Sequence, residues 1–222
     1  MVTKAYTLSL ARVGMGGLSQ TKKMPCYSWS LSTSVCKTGG RLRKIKGSVC
    51  SKCYADKGNY NWPNVKHAHQ ERLRTYESDA RIFVRVAITV LNNLVELGEE
   101  EFRWFDSGDL LSSDMLRDLI HIAREVPDMM FWLPTKEEGY VREYLSGTVV
   151  DIPSNLCIRL STPMIGSQSS SIVHLKHPQV TRSYVGVEGN GIFQCPAPTQ
   201  GNMCGSCRAC WDPKKFVSYK EI

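Results

Sequence analysis

The distribution of cysteines constrains this chain more than any other sequence feature. Of nine cysteines, seven fall into two groups, one near the front of the chain and one near its end. Thiolates at short intervals in loops are the soft ligands that favour iron-sulfur clusters, zinc or copper over hard cations. The sequence therefore predicts two metal centres. The first group is Cys36, Cys50 and Cys53, and the second is Cys195, Cys204, Cys207 and Cys210.

Disulfide pairing is the competing explanation for so many cysteines. No segment near the first residue has the apolar core and cleavage site of a secretory signal, and no apolar run approaches the roughly 20 residues that span a bilayer. We therefore expect a cytoplasmic protein with no membrane partner. In a reducing compartment, clustered cysteines bind metal or catalyse more often than they cross-link. The odd total of nine also leaves at least one thiol unpaired.

Apolar periodicity predicts an α/β fold. Strands are predicted at residues 24–31, 102–105, 129–133, 157–160 and 182–187, with helices at 64–97, 112–126 and 137–145. The first of these helices is either continuous or broken near Ser78. This alternation indicates parallel pairing with right-handed crossovers, so we expect an α/β sheet or partial (β/α) barrel over residues 1–188 and a cysteine-rich C-terminal extension over 189–222.

Polar residues follow several of these strands. In α/β folds the ligand site forms at the carboxyl ends of the parallel strands, so these side chains are expected to surround one opening. The residues predicted there are Cys36, Cys50, Cys53, Asp106, Ser107, Asp109, Thr135, Lys136, Arg159 and Ser161.

The first cysteine group supplies three thiolates, whereas a structural zinc or a fully ligated four-iron cluster takes four protein ligands. A four-iron cluster held by three cysteines leaves one iron free to bind a cofactor or substrate. Cys26 is a candidate fourth ligand and would complete a zinc site, although it also fits a buried strand position because cysteine behaves as a small hydrophobe. Cys157 lies in an apolar run and is interpreted as a core thiol.

The second group has the spacing Cys195-x8-Cys204-x2-Cys207-x2-Cys210. Three cysteines separated by two residues each resemble the ligand run of a bacterial ferredoxin, which favours a second four-iron cluster. A zinc site of four cysteines that pins the tail is the alternative. A cluster with four cysteine ligands is saturated, so it would conduct electrons or brace the fold.

Several segments together resemble the bacteriophage gene product 88 family, over nearly the whole chain. They are Lys-Thr-Gly after Cys36, GSVCSKCYADKGNY, FRWFDSGDL, FWLPTKE, NLCIRLS and the terminal CxxCxxCW. That family is similar in turn to radical S-adenosylmethionine (SAM) enzymes, which use a partial (β/α) barrel and a three-cysteine cluster after the first strand. The resemblance implies reductive cleavage of SAM, two 4Fe-4S clusters, and a reductant protein such as a flavodoxin or ferredoxin in the cytoplasm of an infected bacterial host.

The resemblance also assigns residues. Cys36, Cys50 and Cys53 would be the cluster ligands, with Tyr54 an aromatic residue beside the last; their spacing shares only its final interval with the usual Cys-x3-Cys-x2-Cys. Ser107-Gly108-Asp109 resembles the Gly-Gly-Glu segment that holds the methionine amino group. Arg159 and Ser161 resemble strand-end residues that contact the carboxylate or ribose of SAM.

The positive charge favours an anionic partner, although it fits ordinary solubility equally well. The net charge is +7 and the isoelectric point is near 8.9. Arg41, Arg43, Lys44 and Lys46 beside the first cysteine group could grip phosphates or form a solvated loop.

Two functions follow. The first is a radical SAM enzyme that modifies an unknown small-molecule or nucleic-acid substrate, with a nucleotide or nucleic acid as the candidate. The alternative is a non-catalytic binding protein, stabilised by zinc or iron-sulfur, that engages nucleic acid or a host protein. The histidines His67, His69, His174 and His177 are interpreted as solvated surface residues rather than metal ligands.

Overall fold

The computed structural model describes residues 2–168 and 177–221. Its strands are β1 Ser19–Gln20, β2 Tyr27–Trp29, β3 Glu101–Trp104, β4 Met130–Thr135, β5 Leu156–Ser161, β6 Val180–Val185, β7 Ile192–Gln194 and β8 Phe216–Tyr219. Its helices are α1 Lys4–Met15, α2 Lys37–Leu42, α3 Pro63–Ser78, α4 Ala80–Glu96, α5 Ser113–Glu125 and α6 Glu138–Leu145. Short 3-10 turns separate several of these elements. No described helix is both long and apolar enough to cross a membrane.

The strands form one eight-stranded sheet in the order β1-β2-β3-β4-β5-β6-β8-β7. Only β1 pairs antiparallel among the described strands, and β1 and β7 are the two edges, so the sheet is open. The predicted α/β class with parallel pairing is confirmed. The region predicted as a C-terminal extension supplies β7 and β8 to this same sheet.

Helix boundaries follow from side-chain caps. Of the two alternatives predicted for residues 64–97, the structure has the one with a break near Ser78: the Asp79 carboxylate accepts hydrogen bonds from Arg81 N at 2.9 Å and Ile82 N at 3.1 Å and so starts α4 as a separate helix. In the same way, Ser112 Oγ accepts from Met115 N at 3.1 Å at the start of α5.

One face of the sheet packs against the helices. Alternate residues of β2, β3 and β4 point into this core, where Trp29 meets Phe83 of α4 edge to face at 5.0 Å and Phe102 meets Trp104 at 4.8 Å. All four rings are fully buried. Each contributes on the order of 2 kcal/mol through removal of apolar area from water.

The opposite face is covered by the cysteine-rich tail. Trp211 lies edge to face on Trp132 of β4 at 5.3 Å, and its Nε1 donates a hydrogen bond to the carbonyl oxygen of Phe102 at 3.0 Å. Cys26 is buried in the same small cluster. The tail therefore closes one face of the sheet, while the carboxyl ends of the strands are left to the loops that follow them.

Candidate functional site

A cavity of about 390 Å³ lies at the carboxyl ends of the parallel strands. Of the residues predicted at this edge, those that line the cavity are Cys36, Cys50, Cys53, Asp106, Ser107, Asp109, Thr135, Lys136 and Ser161; Tyr54 and Gly108, which the resemblance assigns, also line it. They come from the loop after β2 and from the ends of β3, β4 and β5. The topology thus brings the first cysteine group and the strand-end residues to one opening.

The loop that carries the first cysteine group is closed by Asp56. Its carboxylate accepts a hydrogen bond from Thr33 Oγ1 at 2.5 Å and pairs with Arg43 Nε at 2.9 Å. Between these contacts, Cys36 precedes α2, and Cys50 lies in a 3-10 turn that ends at Cys53. Asp56 therefore ties the beginning and middle of the loop to its end.

Gly39 allows α2 to approach the sulfurs closely. A Cβ atom at this position would lie 3.1 Å from Cys36 Cβ and 3.5 Å from Cys50 Sγ. Burial, together with the nearby Asp109 and the other thiols, raises the pKa of Cys36 to about 12, and burial also raises the pKa of Cys50. Both thiols are therefore protonated at neutral pH unless a cation replaces the proton.

Asp109 organises the turn after β4. Its Oδ1 accepts hydrogen bonds from Thr135 Oγ1 at 2.6 Å and Leu110 N at 2.9 Å, and its Oδ2 accepts one from Lys136 N at 2.9 Å. Burial raises the pKa of Asp109 to about 6, although these three hydrogen bonds act in the opposite direction. Both carboxylate oxygens are thus engaged by the protein.

Glu137 extends this arrangement to the cysteine loop, and nothing in the sequence pattern singled it out. Its Oε1 accepts from Thr38 N at 2.7 Å and its Oε2 from Thr38 Oγ1 at 2.8 Å. Thr38 is two residues after Cys36, in the first turn of α2. A buried carboxylate therefore holds the backbone next to the first cysteine.

Asp106 and Arg103 retain buried polar atoms with no hydrogen-bond partner among the described residues. Asp106 is 7% exposed; its Oδ2 accepts from Tyr60 Oη at 3.0 Å, whereas its Oδ1 is unpartnered. The Nε of Arg103 is likewise unpartnered, while its Nη2 contacts Tyr54 Oη at 3.4 Å. Because buried polar groups are nearly always paired, these atoms mark positions where a bound ligand or water would be stabilised.

Ser107 and Gly108 serve the packing of the strand end. Ser107 Oγ donates to Leu31 O at 2.8 Å and lies 3.2 Å from His69 Nε2. Gly108 has φ 76°, and a Cβ there would lie 2.8 Å from Leu31 O, so the close approach requires glycine. The prediction that His69 is solvated was wrong: it is 5% exposed and stacked on Tyr60.

The chain was also compared with known proteins. A family model described as gene product 88 matches residues 7–213. The chain belongs to the gene product 88 family. No curated protein and no solved structure matches this gene product 88 chain. Its bacteriophage origin is thereby supported, and the further likeness to radical SAM enzymes is a hypothesis.

Arg159 and Ser161 of this gene product 88 protein were both predicted at the cavity, but only Ser161 lies there. Ser161 lines the cavity and lies 3.2 Å from Ser183 Oγ. Arg159 is fully buried on the sheet face that the tail covers, and it is not among the described residues that line the cavity. Its guanidinium donates to backbone carbonyl oxygens of Ala209, Cys210, Arg182, Asp212 and Lys215 at 2.8–3.3 Å. These contacts attach the cysteine-rich tail to β5.

The second cysteine group lies in that tail. Cys195 N donates to Ser218 O at 2.9 Å, and Cys204 N donates to Lys23 O at 2.9 Å, so Cys195 is fixed to β8 and Cys204 to the loop before β2. Burial raises the pKa of Cys195, Cys204 and Cys210, and neighbouring thiols of the group add to this effect: Cys207 acts on Cys195, both Cys195 and Cys207 act on Cys204, and Cys195 acts on Cys210. Cys26 lies near Cys204 and is not among the described residues that line the cavity.

Two further observations concern the side chains that are candidate metal ligands. All nine cysteines lie in the described part of the chain and are free thiols. Within residues 2–168 and 177–221, no three His, Cys, Asp or Glu side chains converge tightly enough to hold a single metal ion. Cys157 is fully buried in β5, as predicted for a core thiol, whereas His174 lies outside the described residues.

Proposed function

We propose that this gene product 88 protein is an iron-sulfur enzyme of radical SAM type, with the open parallel sheet acting as a partial (β/α) barrel. One observation carries the proposal: the three cysteines of the first group and the strand-end residues line a single cavity. The substrate is unknown; the basic charge favours a nucleotide or nucleic acid. The site of action would be the cytoplasm of the infected host.

The residues at the cavity fit a cluster with one open iron. Cys36, Cys50 and Cys53 offer three thiols, and Gly39 leaves the space beside two of the sulfurs free of a side chain. A cubane binds each cysteine to a different iron and so tolerates sulfurs that stand farther apart than the roughly 3.8 Å of a tetrahedral zinc site. When bound, the cluster supplies one-electron reduction of the SAM sulfonium.

The strand ends would bind and orient SAM. Asp109 already accepts three hydrogen bonds from the protein, so we assign it to holding the turn before α6. Asp106 has an unpartnered oxygen in the cavity wall and is the better candidate for the methionine amino group. Ser161 and Tyr54 remain candidates for polar and stacking contacts, and the enclosing loop would keep water from the reacting atoms.

The second group would hold a saturated cluster. Its four cysteines, Cys195, Cys204, Cys207 and Cys210, leave no open iron, which suits electron transfer from a flavodoxin or ferredoxin. The 3-10 turn Ala209–Trp211, which carries Cys210, packs on β4 and β5.

The alternative is a non-catalytic binding protein held together by zinc or iron-sulfur. The basic residues Arg41, Lys44 and Lys46 are exposed in the loop beside the first cysteine group, where they could engage the phosphates of a nucleic acid. A host protein with an acidic surface would be recognised by the same charges.

Anaerobic purification and SAM titration separate these functions. The enzyme is expected to be brown, with about eight irons per chain, and SAM should perturb the electron paramagnetic resonance (EPR) signal of the reduced first cluster. Dithionite and SAM should then yield 5′-deoxyadenosine and methionine. Colourless protein with stoichiometric zinc would favour the binding protein. An iron-sulfur protein whose signal ignores SAM would exclude the radical mechanism.

Replacing Cys53 with Ala is expected to remove the first cluster and leave the second. Iron should fall from about eight to about four per chain, because two cysteines cannot retain the cubane. The matched control is Cys157→Ala, since Cys157 is a buried thiol that does not line the cavity. Iron analysis and EPR check both variants. Equal iron loss in both would show that the first group is not a separate centre.

A further inference from the structure

The cavity wall contains a tyrosine that reaches the second cysteine group. Tyr219 of β8 lines the cavity together with the first cysteine group. Its hydroxyl lies 3.3 Å from Cys210 Sγ, on the other side of the same wall. One side chain therefore touches both the candidate ligand space and a ligand of the second predicted centre.

We propose that Tyr219 couples the two cysteine groups, so that occupancy of the cavity and reduction of a cluster at the second group influence each other. The inference rests on the proposed function, because it requires an iron-sulfur cluster at the second group. Tyr219 acts as a positioning residue and takes no part in the chemistry.

The direction of the hydrogen bond follows from the ligand's protonation. A cysteine bound to iron is a thiolate and has no proton, so the phenol of Tyr219 must donate to Cys210 Sγ. Reduction adds negative charge to the cluster and its sulfurs. A donated hydrogen bond stabilises that charge, and it therefore raises the reduction potential of the second centre.

Packed aromatic and guanidinium groups surround Tyr219 in the wall. The guanidinium of Arg103 lies 4.2 Å from the ring centroid of Trp132, and Trp132 contacts Trp211, the residue after Cys210. Arg103 also contacts Tyr54, which follows Cys53. These aromatic and guanidinium groups pack around Tyr219 and fix the position of its ring.

A ligand in the cavity would contact the ring of Tyr219 and change the position of its hydroxyl relative to Cys210. Linkage then requires the reciprocal effect: if SAM shifts the reduction equilibrium of the second centre, reduction shifts the affinity for SAM by the same factor. Binding of SAM would in this way change the reduction potential of the centre that receives electrons.

Redox titration of Tyr219→Phe tests the hydrogen bond without any ligand. EPR-monitored titration of the reconstituted full chain should show a lower potential for the second centre alone, by about tenfold in the reduction equilibrium, or about 59 mV for one electron. Tyr184→Phe is the matched control, because Tyr184 also lines the cavity and is buried, and among the described residues its side chain makes no hydrogen bond to a cysteine. The signal lost in Cys204→Ser identifies the second centre.

A second titration, with SAM present, tests the coupling. SAM should shift the potential of the second centre in the wild type and in Tyr184→Phe, and this shift should disappear in Tyr219→Phe. The proposal would be overturned by unchanged potentials in Tyr219→Phe or by an equal change at both centres. It would also be overturned by a SAM shift that survives the substitution, or by zinc at the second group. Failure of SAM cleavage alone would refute the enzyme function and leave the ligand-free result standing.

Discussion

Replacing Arg159 with Leu is expected to lower the free energy of unfolding by about 4 kcal/mol and the melting temperature by about 10 °C. Arg159 is fully buried, and its donors satisfy backbone carbonyls of the tail and of Arg182. Leucine fills part of the volume but donates no hydrogen bond, so each of these carbonyls loses a donor. These acceptors are backbone groups, so they stay in place and remain buried after the guanidinium is removed. Thermal unfolding followed by circular dichroism measures the effect.

The same substitution should release the cysteine-rich tail. Iron is expected to fall from about eight to about four per chain, with the EPR signal of the first centre retained. The stability and iron content of Arg159→Lys should lie between those of the wild type and Arg159→Leu. Its ammonium group offers three donors from one point, whereas the guanidinium offers five in a plane. Arg81→Leu is the control, because the Arg81 side chain is 92% exposed and its loss should change stability by less than about 0.5 kcal/mol.

The Arg159 variants also decide between two roles for this residue. If Arg159 contacted the carboxylate of SAM, as the resemblance implies, Arg159→Leu would weaken SAM binding while the melting temperature and iron content stayed at wild-type values. The observed contacts instead predict that stability and the second centre are lost first. A stable Arg159→Leu protein with about eight irons and weakened SAM binding would contradict the structural role.

Periodicity was sufficient to predict most elements around the cavity. Strands β3 to β6 and helices α3 to α6 were expected near their observed positions, because their apolar residues recur at the spacing of a strand or of a helix. Helix α1 and the short strands β7 and β8 were not predicted. Strands of three or four residues carry too few alternating positions to show a period, and their pairing is decided by distant parts of the chain.

The orientation of Arg159 was beyond the reach of sequence pattern for a related reason. Alternation along β5 places Cys157, Arg159 and Ser161 on one face of the sheet. Whether that face is open to a ligand or covered depends on the tail, which lies about 50 residues farther along the chain. The burial of His69 could have been predicted from the sequence, because His69, Arg72 and Tyr76 are spaced as one helical face. All three are buried.

Replacing Glu137 with Ala is expected to weaken iron binding at the first centre by about 10- to 100-fold. Glu137 is 5% exposed and accepts two hydrogen bonds from Thr38, close to Cys36. Without the carboxylate, the first turn of α2 loses both contacts, and Cys36 is held less firmly in the geometry that a cluster requires. We expect about 3 kcal/mol less stability as well, since each hydrogen bond to a charged group contributes about 1.5 kcal/mol or more. Competition with an iron chelator measures the affinity.

The neighbouring carboxylate provides the matched control. Glu138 pairs with Arg142 at 2.7 Å within α6, an i,i+4 contact of the kind that contributes about 0.5 kcal/mol or less. Glu138→Ala should therefore keep its iron, while Glu137→Ala loses iron from the first centre before the second. Glu137→Gln should recover most of the affinity, because its amide oxygen can still accept from Thr38 N. Equal iron loss in the two alanine variants would mean that Glu137 supports the fold in general and does not position Cys36.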